Sequence, residues 1–192
     1  MSRDMYFDRR FEEFARVLDF LPGGKPEFGR STYRAEPMLQ LIGETYFTLL
    51  EAVARYRIML KTHERVYVGK DHQRERVRHI LGRVSYSDLT SASKVELLSV
   101  VEEIVKDYED RFVSFFNNAH PLTPRMHALE LLPGIGKRYM IEILNARDKK
   151  VFESYEELQK RTGVPDPVKL VARRIVEELA EDAKYRIFTR PL

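Results

Sequence analysis

Apolar residues before Tyr86 come in short runs broken by turn signals, and beyond Ser93 they recur at helical spacing. Ala15 to Leu21 is a short apolar run halted by Pro22-Gly23-Gly24. Residues 25–37, with Lys25, Pro26, Gly29, Arg30, Arg34 and Pro37, read as a flexible, basic-leaning loop. Met38 to Ile42 and Tyr46 to Ala54 bracket Gly43, which predicts a bent strand or a hairpin there. Tyr46 to Ile58 also fits a helical face through Leu50, Ala54, Arg57 and Ile58, but strand is the reading adopted. Val66-Tyr67-Val68 ends at Gly69-Lys70-Asp71, and Arg76 to Tyr86 closes the series with Val84 and Tyr86 alternating against polar neighbours.

About five short strands predict a small barrel, and the OB-fold is a five-stranded barrel of this kind that binds oligonucleotides. The helical half opens with a capping box, Ser93 with Glu96. One long amphipathic helix follows through Leu97, Val101, Ile104, Tyr108, Phe112 and Phe115 to Phe116, ended by Asn117-Asn118 and Pro121. Its acidic outer face marks a scaffold joining two halves. Thr123 then caps a helix that has Pro124 at its first position. Ser154 and Glu157 form another capping box for a helix stopping at Gly163. Asp166-Pro167 starts a last helix with Val168, Val171, Ile175 and Leu179 on one face. The tail, Lys184 to Leu192, alternates Tyr185, Ile187 and Thr189 with basic residues, so it adds a strand or packs back onto the barrel. The class is α+β: an OB-like β-barrel over residues 1–90, a linker helix over 91–120 and a helical hairpin domain over 121–192.

The run Leu132-Pro133-Gly134-Ile135-Gly136-Lys137 carries the most chemistry. It lies between predicted helices from about Pro124 to Leu132 and from about Lys137 to Arg147. Pro133 ends the first because it lacks an N–H. Gly134 and Gly136 open positive φ to the turn, and Ile135 can tuck into the seam. The second helix then starts with unpaired N–H groups beside Lys137 and Arg138, where a phosphate is the natural guest. This run resembles the helix-hairpin-helix motif of sequence-nonspecific nucleic-acid binders, whose loop reads apolar-Pro-Gly-apolar-Gly. All five hairpin positions match. Met140 departs from the small residue that the motif carries, and Ile143 fills the next apolar position. The resemblance implies that backbone amides grip a phosphodiester, sometimes with a monovalent cation. The segment around Gly163-Val164-Pro165 looks like a degenerate second hairpin, with Pro165 where the second Gly would stand.

Charge sharpens the picture. The net charge is +3, but residues 61–83 hold seven Lys or Arg against three acids, and residues 124–150 hold six against three. Between them, residues 84–123 hold three bases against seven acids. Arg65, Lys70, Arg76 and Arg83 of the first stretch are expected to project on one side of the β-domain. Of Tyr33, Tyr46, Tyr67 and Tyr86, the choices for base stacking are Tyr67 and Tyr86, because Arg65, Lys70 and Arg83 lie beside them. The chain has no cysteine, which removes disulfides and thiolate metal sites and fits a cytoplasmic protein. Met1 to Phe14 is charged and lacks the apolar core of a signal peptide, and no run is long enough to span a bilayer.

No catalytic group is expected. The acids downstream of the hairpin, Asp148, Glu153, Glu156 and Glu157, sit among lysines or at a helix start, unlike the catalytic Asp of helix-hairpin-helix glycosylases. His63, His72 and His79 are spaced across turns in a way that does not suit a metal, and no cofactor is implied.

The whole chain, through its hairpin, the Gly69-Lys70 turn and the segment Gly-Arg-Val-Ser-Tyr-Ser-Asp-Leu at 82–89, resembles an uncharacterised archaeal family described as predicted RNA-binding. The resemblance implies a non-catalytic nucleic-acid-binding protein with RNA favoured over DNA, partnered with ribonucleoprotein or translation-related proteins. A DNA-binding repair or recombination accessory is the first rival. The second is a protein-interaction adaptor of the translation or RNA-processing machinery, in which the hairpin is structural.

Overall fold

Five antiparallel strands form the first part of the protein in a computed structural model that describes residues 11–24 and 36–190. Most of the 25–37 loop, Tyr33, most of Met1 to Phe14 and the last two residues lie outside the described residues. The strands are β1 (Phe14–Leu21), β2 (Met38–Gly43), β3 (Leu49–Ala54), β4 (Arg65–Tyr67) and β5 (Val77–Arg83), in the order β4-β1-β2-β3-β5. They fall on the short apolar runs visible in sequence, and β2 and β3 are buried along nearly their whole length. In β1, Ala15 and Val17 face inward while Arg16 faces out. The expectation of a strand rather than a helix over Tyr46–Ile58 holds, and Gly43 closes a hairpin between β2 and β3.

The sheet curls into a half-barrel. Register shifts interrupt β1 between Val17 and Asp19 and the β3–β5 pair at two points, and such bulges bend and twist a strand. Val66 of one edge strand and Val77 of the other share a single core with Ala15, Val17, Leu39, Leu41 and Leu50. Among the described residues β4 and β5 do not pair, so the barrel stays open along that seam. The strand expected to reach Tyr86 stops at Arg83.

Two compact units divide between Val84 and Ser85. The second contains α1 (Ser91–Asp107), α2 (Glu109–Asn118), a small hairpin of β6 (Pro121–Thr123) and β7 (Met126–His127), α3 (Lys137–Lys149), α4 (Tyr155–Thr162) and α5 (Pro167–Ala180). The long helix expected from Ser93 to Phe116 is broken at Tyr108, where φ is −106° and ψ is 42°. The break turns Phe112, Val113 and Phe116 onto a different bearing from Leu97, Val101 and Ile104, and both sets are buried. The cap of α1 is Thr90, not Ser93, and its hydroxyl accepts from the Ser93 N–H at 3.0 Å. The local signals at α4 and α5 hold better. Ser154 Oγ accepts from Glu157 N, Gly163 ends α4 at φ +69°, and Asp166 caps α5 ahead of Pro167. The Glu157 carboxylate bonds the N–H of Glu153 rather than that of Ser154, so the expected box is only half made.

No strand forms in the described part of the tail. The tail folds onto its own helical unit instead. The Glu178 carboxylate, fully buried, accepts from the backbone N–H groups of Ile187, Phe188 and Thr189, the Thr189 hydroxyl and Arg174 Nε. Phe188 meets Phe112 and Phe115 edge to face. No helix among the described residues is long and apolar enough to cross a membrane.

Candidate functional site

The Leu132–Lys137 turn has the expected centre but a different entrance. The segment Pro124–Leu132 is not an α-helix. Thr123-Pro124-Arg125-Met126 turns the β6–β7 hairpin, and a single 3-10 turn, Ala128–Leu131, follows. The cause is the pair His127 and Glu130. His127 Nδ1 accepts from Leu129 N at 3.1 Å, and Glu130 Oε2 accepts from His127 N at 2.9 Å. This box starts the turn at Ala128, and Pro133 arrives before an α-helix can establish itself. Burial, helped by nearby Arg147 and His120 and opposed by Glu130, pushes the His127 imidazole below its usual range. Its role as an acceptor requires that neutral form.

From Leu132 onward the turn follows its spacing at every position but Gly136. Leu132 and Ile135 are buried, and Ile135 N bonds Leu132 O at 2.9 Å to tighten the turn. Gly134 takes φ +96°, open to glycine and costly for other residues. Gly136 does not need that freedom: its φ is −88°, and an added Cβ would meet nothing within 4 Å. It caps α3 without a side chain. Among the described residues, the N–H groups of Gly136, Lys137, Arg138 and Tyr139 have no acceptor. The Lys137 and Arg138 side chains are exposed beside them and make no ion pair there; the Arg138 guanidinium lies 6.0 Å from the Tyr139 ring. The opposite holds for much of the surrounding basic stretch. Arg147 donates to Phe116 O and Ala119 O at the end of α2, and Lys150 pairs with Glu153 and Glu157.

The α4–α5 turn repeats the first only in part, since its cap, Asp166, is left-handed at φ +34° where Gly136 is extended. Gly163 stands at positive φ like Gly134, and Val164 is buried like Ile135. Pro165 stands where Gly136 would, and Asp166, one residue later, caps α5, its carboxylate accepting from Lys169 N at 3.2 Å. A negative side chain therefore stands at the start of α5, where α3 has none.

The first basic stretch divides. Arg65 and Arg76 do not join Lys70 and Arg83. Arg65 lies on the outer face of the sheet, its guanidinium 3.6 Å from the Phe14 ring and its Nε 2.9 Å from Glu44 Oε2. Arg76 pairs with Glu64 at 2.7 Å. Lys70 and Arg83 line one cleft of about 120 Å³ at the open seam, together with Arg74, which sequence reasoning did not select. Phe11, Leu50, Val68 and Ile80 supply its apolar walls, and Glu12 and Thr48 complete it. The three cations are held differently. Lys70 Nζ stands 3.5 Å from the Phe11 ring. Arg74 Nε donates to Val68 O and Gly69 O at 3.1 and 2.9 Å. The Arg83 side chain is exposed, without an ion pair or hydrogen bond to the described residues.

Neither chosen tyrosine is a free stacking face in the expected place. Tyr67 packs against Phe14, and its hydroxyl accepts from the N–H groups of Asp71 and His72 at 3.1 Å each, anchoring the loop that carries Lys70. Gly69 is needed beside it, since a Cβ would lie 2.5 Å from the Tyr67 hydroxyl. Tyr86 is not on the β-unit; it sits in a 3-10 turn of the helical unit, with Lys94 Nζ 5.3 Å from its ring. Glu12 was also missed. It is buried, and its carboxylate accepts from the N–H groups of Thr45, Tyr46 and Thr48. Gly43 leaves room for it, because a Cβ there would stand 1.9 Å from its carboxyl carbon. Among the described residues, no three His, Asp or Glu side chains are grouped to hold a metal ion; His72 instead tilts against Tyr67.

These features define a mixed α+β protein, with a curled five-stranded antiparallel half-barrel and five helices among the described residues. The chain belongs to the family described as "Protein of unknown function (DUF655)", whose model matches residues 11–190. It is 42% identical over 184 residues to the uncharacterized protein MJ0038 of Methanocaldococcus jannaschii, covering 95% of this chain and 82% of that one. The crystal structure of Af1531 from Archaeoglobus fulgidus, titled with the same family model, superposes with a TM-score of 0.86 at 44% identity. That match covers 93% of this chain and all of the other.

Proposed function

We propose that this protein binds nucleic acid, RNA in preference to DNA, and grips phosphates at the N-terminus of α3 through the 132–138 segment. One observation carries the reading. Four consecutive backbone N–H groups without acceptors among the described residues stand beside two exposed cations, behind a turn held by buried Ile135. A helix N-terminus of this kind favours an anion through its dipole and its unsatisfied donors. Contacts of this type position a backbone and read no bases. The preference for RNA comes from the family resemblance of the whole chain.

The role is binding rather than catalysis. The groups gathered at α3 and in the cleft are cations, backbone donors and apolar walls. Glu12, the acid in the cleft, is engaged by three backbone N–H groups. A second reading, an adaptor for a protein partner, draws on Tyr56 and Met59, which stand 70% and 75% exposed between β3 and β4.

Salt separates the two. In fluorescence titrations of an RNA oligonucleotide, replacing Lys137 and Arg138 together by Ala should weaken binding across sequences. It should also reduce the slope of log K against log salt by about two phosphate contacts. A changed sequence preference with an unchanged slope would remove these residues from the phosphate site. Binding to a protein partner through Tyr56 and Met59 would show little salt dependence.

A further inference from the structure

We infer that the cleft at the open seam of the half-barrel receives one unpaired base, so that the β-unit selects single-stranded over duplex nucleic acid. The inference rests on the nucleic-acid reading and names the form of the ligand. Size comes first. At about 120 Å³ the cleft is well short of the ~300 Å³ at which enclosed small-molecule sites begin, so it cannot engulf a whole cofactor. A single planar ring is of the right order.

The chemistry of the walls agrees. Phe11, which is half exposed, Leu50, Val68 and Ile80 offer apolar surface to a ring face. The cations stand at the rim and come from two elements. Lys70 and Arg74 belong to the loop that joins β4 to β5, and Arg83 ends β5 opposite Leu50 of β3. An apolar slot with cations from two sides matches a nucleotide, whose base is flat and apolar on its faces and whose backbone continues as phosphates. The positions of two of the cations are set by the fold: Lys70 by the Phe11 ring and the Tyr67-anchored turn, Arg74 by two carbonyls. Arg83 alone has no partner among the described residues and is free to take a phosphate. A duplex keeps its bases paired and stacked, so it cannot fill the slot without extruding one.

The test uses the full chain and three probes of one sequence: a single-stranded RNA oligonucleotide, the same strand with one abasic position, and the corresponding duplex. Arg83→Ala removes a rim cation from an exposed position, and Ile80→Trp fills the slot; thermal melts establish that each variant is folded. Single-strand affinity should fall about tenfold in either variant, within the range for losing one stacked base, while duplex affinity stays unchanged. The abasic strand should bind the unaltered protein more weakly than the intact strand. Equal losses for single strand and duplex, or equal binding of abasic and intact strands, would overturn the inference and leave the α3 phosphate site standing. Displacement of the RNA by an acidic, aromatic peptide at equal concentration would overturn it in favour of a protein ligand. Failure of all three probes to bind would remove the nucleic-acid reading as well.

Discussion

Gly134 and Gly136 stand two residues apart in the same turn, yet the structure assigns them different tasks, and alanine at each position separates folding from binding. At Gly134, φ is +96° and a Cβ would lie 3.3 Å from Leu170 Cδ2. A left-handed conformation costs an L-residue about 1–2 kcal/mol. Alanine also restricts the unfolded chain, which offsets about 0.4–1 kcal/mol of that. The close approach to Leu170 asks for a shift of a few tenths of an ångström. The net expectation for Gly134→Ala is a loss of about 1 kcal/mol, equivalent to roughly 4–8 °C in melting temperature for a small unit. At Gly136 the backbone is extended and a Cβ meets nothing within 4 Å. Alanine is a poorer cap than glycine by roughly 0.5–1 kcal/mol, which the unfolded-state gain of about 0.4–1 kcal/mol roughly cancels. Gly136→Ala should therefore melt with the unaltered protein. Its methyl group projects where a phosphate would approach the amides, so RNA affinity should fall by several-fold at constant stability. Calorimetry on both variants, paired with oligonucleotide titration, makes the comparison. Equal destabilisation by the two changes would refute the backbone argument, and full affinity in a folded Gly136→Ala variant would refute the close approach to phosphate.

Two further outcomes follow from buried polar groups in the helical unit. Replacing Glu178 by Gln puts an amide NH₂ among donors that now meet a carboxylate and leaves Arg174 without its buried partner, so a loss of about 3–5 kcal/mol is expected. Hydrogen exchange should show Ile187, Phe188 and Thr189 losing protection first, and retained protection there would contradict the anchoring of the tail by Glu178. His127 predicts a pH dependence. Its pKa lies below its ordinary 6.5 in the folded state, so stability is complete above that value. As pH falls below it the unfolded chain takes up a proton that the folded chain resists, and stability declines toward the folded-state pKa. Urea midpoints measured between about pH 7.5 and about pH 5 should fall, and less steeply in His127→Gln. An equal slope in that variant would place the effect elsewhere.

Local chemistry accounts for what could be read along the chain. Short apolar runs bounded by turn signals marked the strands of the half-barrel, because buried strands are short and the chain must turn between them. Ser154, Gly163 and Asp166-Pro167 marked the ends of α4 and the start of α5, because each satisfies or shapes backbone groups within a few residues of itself. The Leu132–Arg138 turn was legible for the same reason. Where two local signals competed, the reading went astray: Thr123-Pro124 looked like a helix start, but the His127–Glu130 box made a later and shorter turn. Tertiary structure alone decided which charges remain available. Arg65 and Arg76 read like Lys70 and Arg83 in sequence, yet Glu44 and Glu64 engage the first two once the sheet forms. Curling of that sheet then brings Arg74, Lys70 and Arg83 around one apolar cleft. A residue's own neighbours set its backbone conformation. Whether its charge faces a partner or solvent depends on strands that meet only after folding.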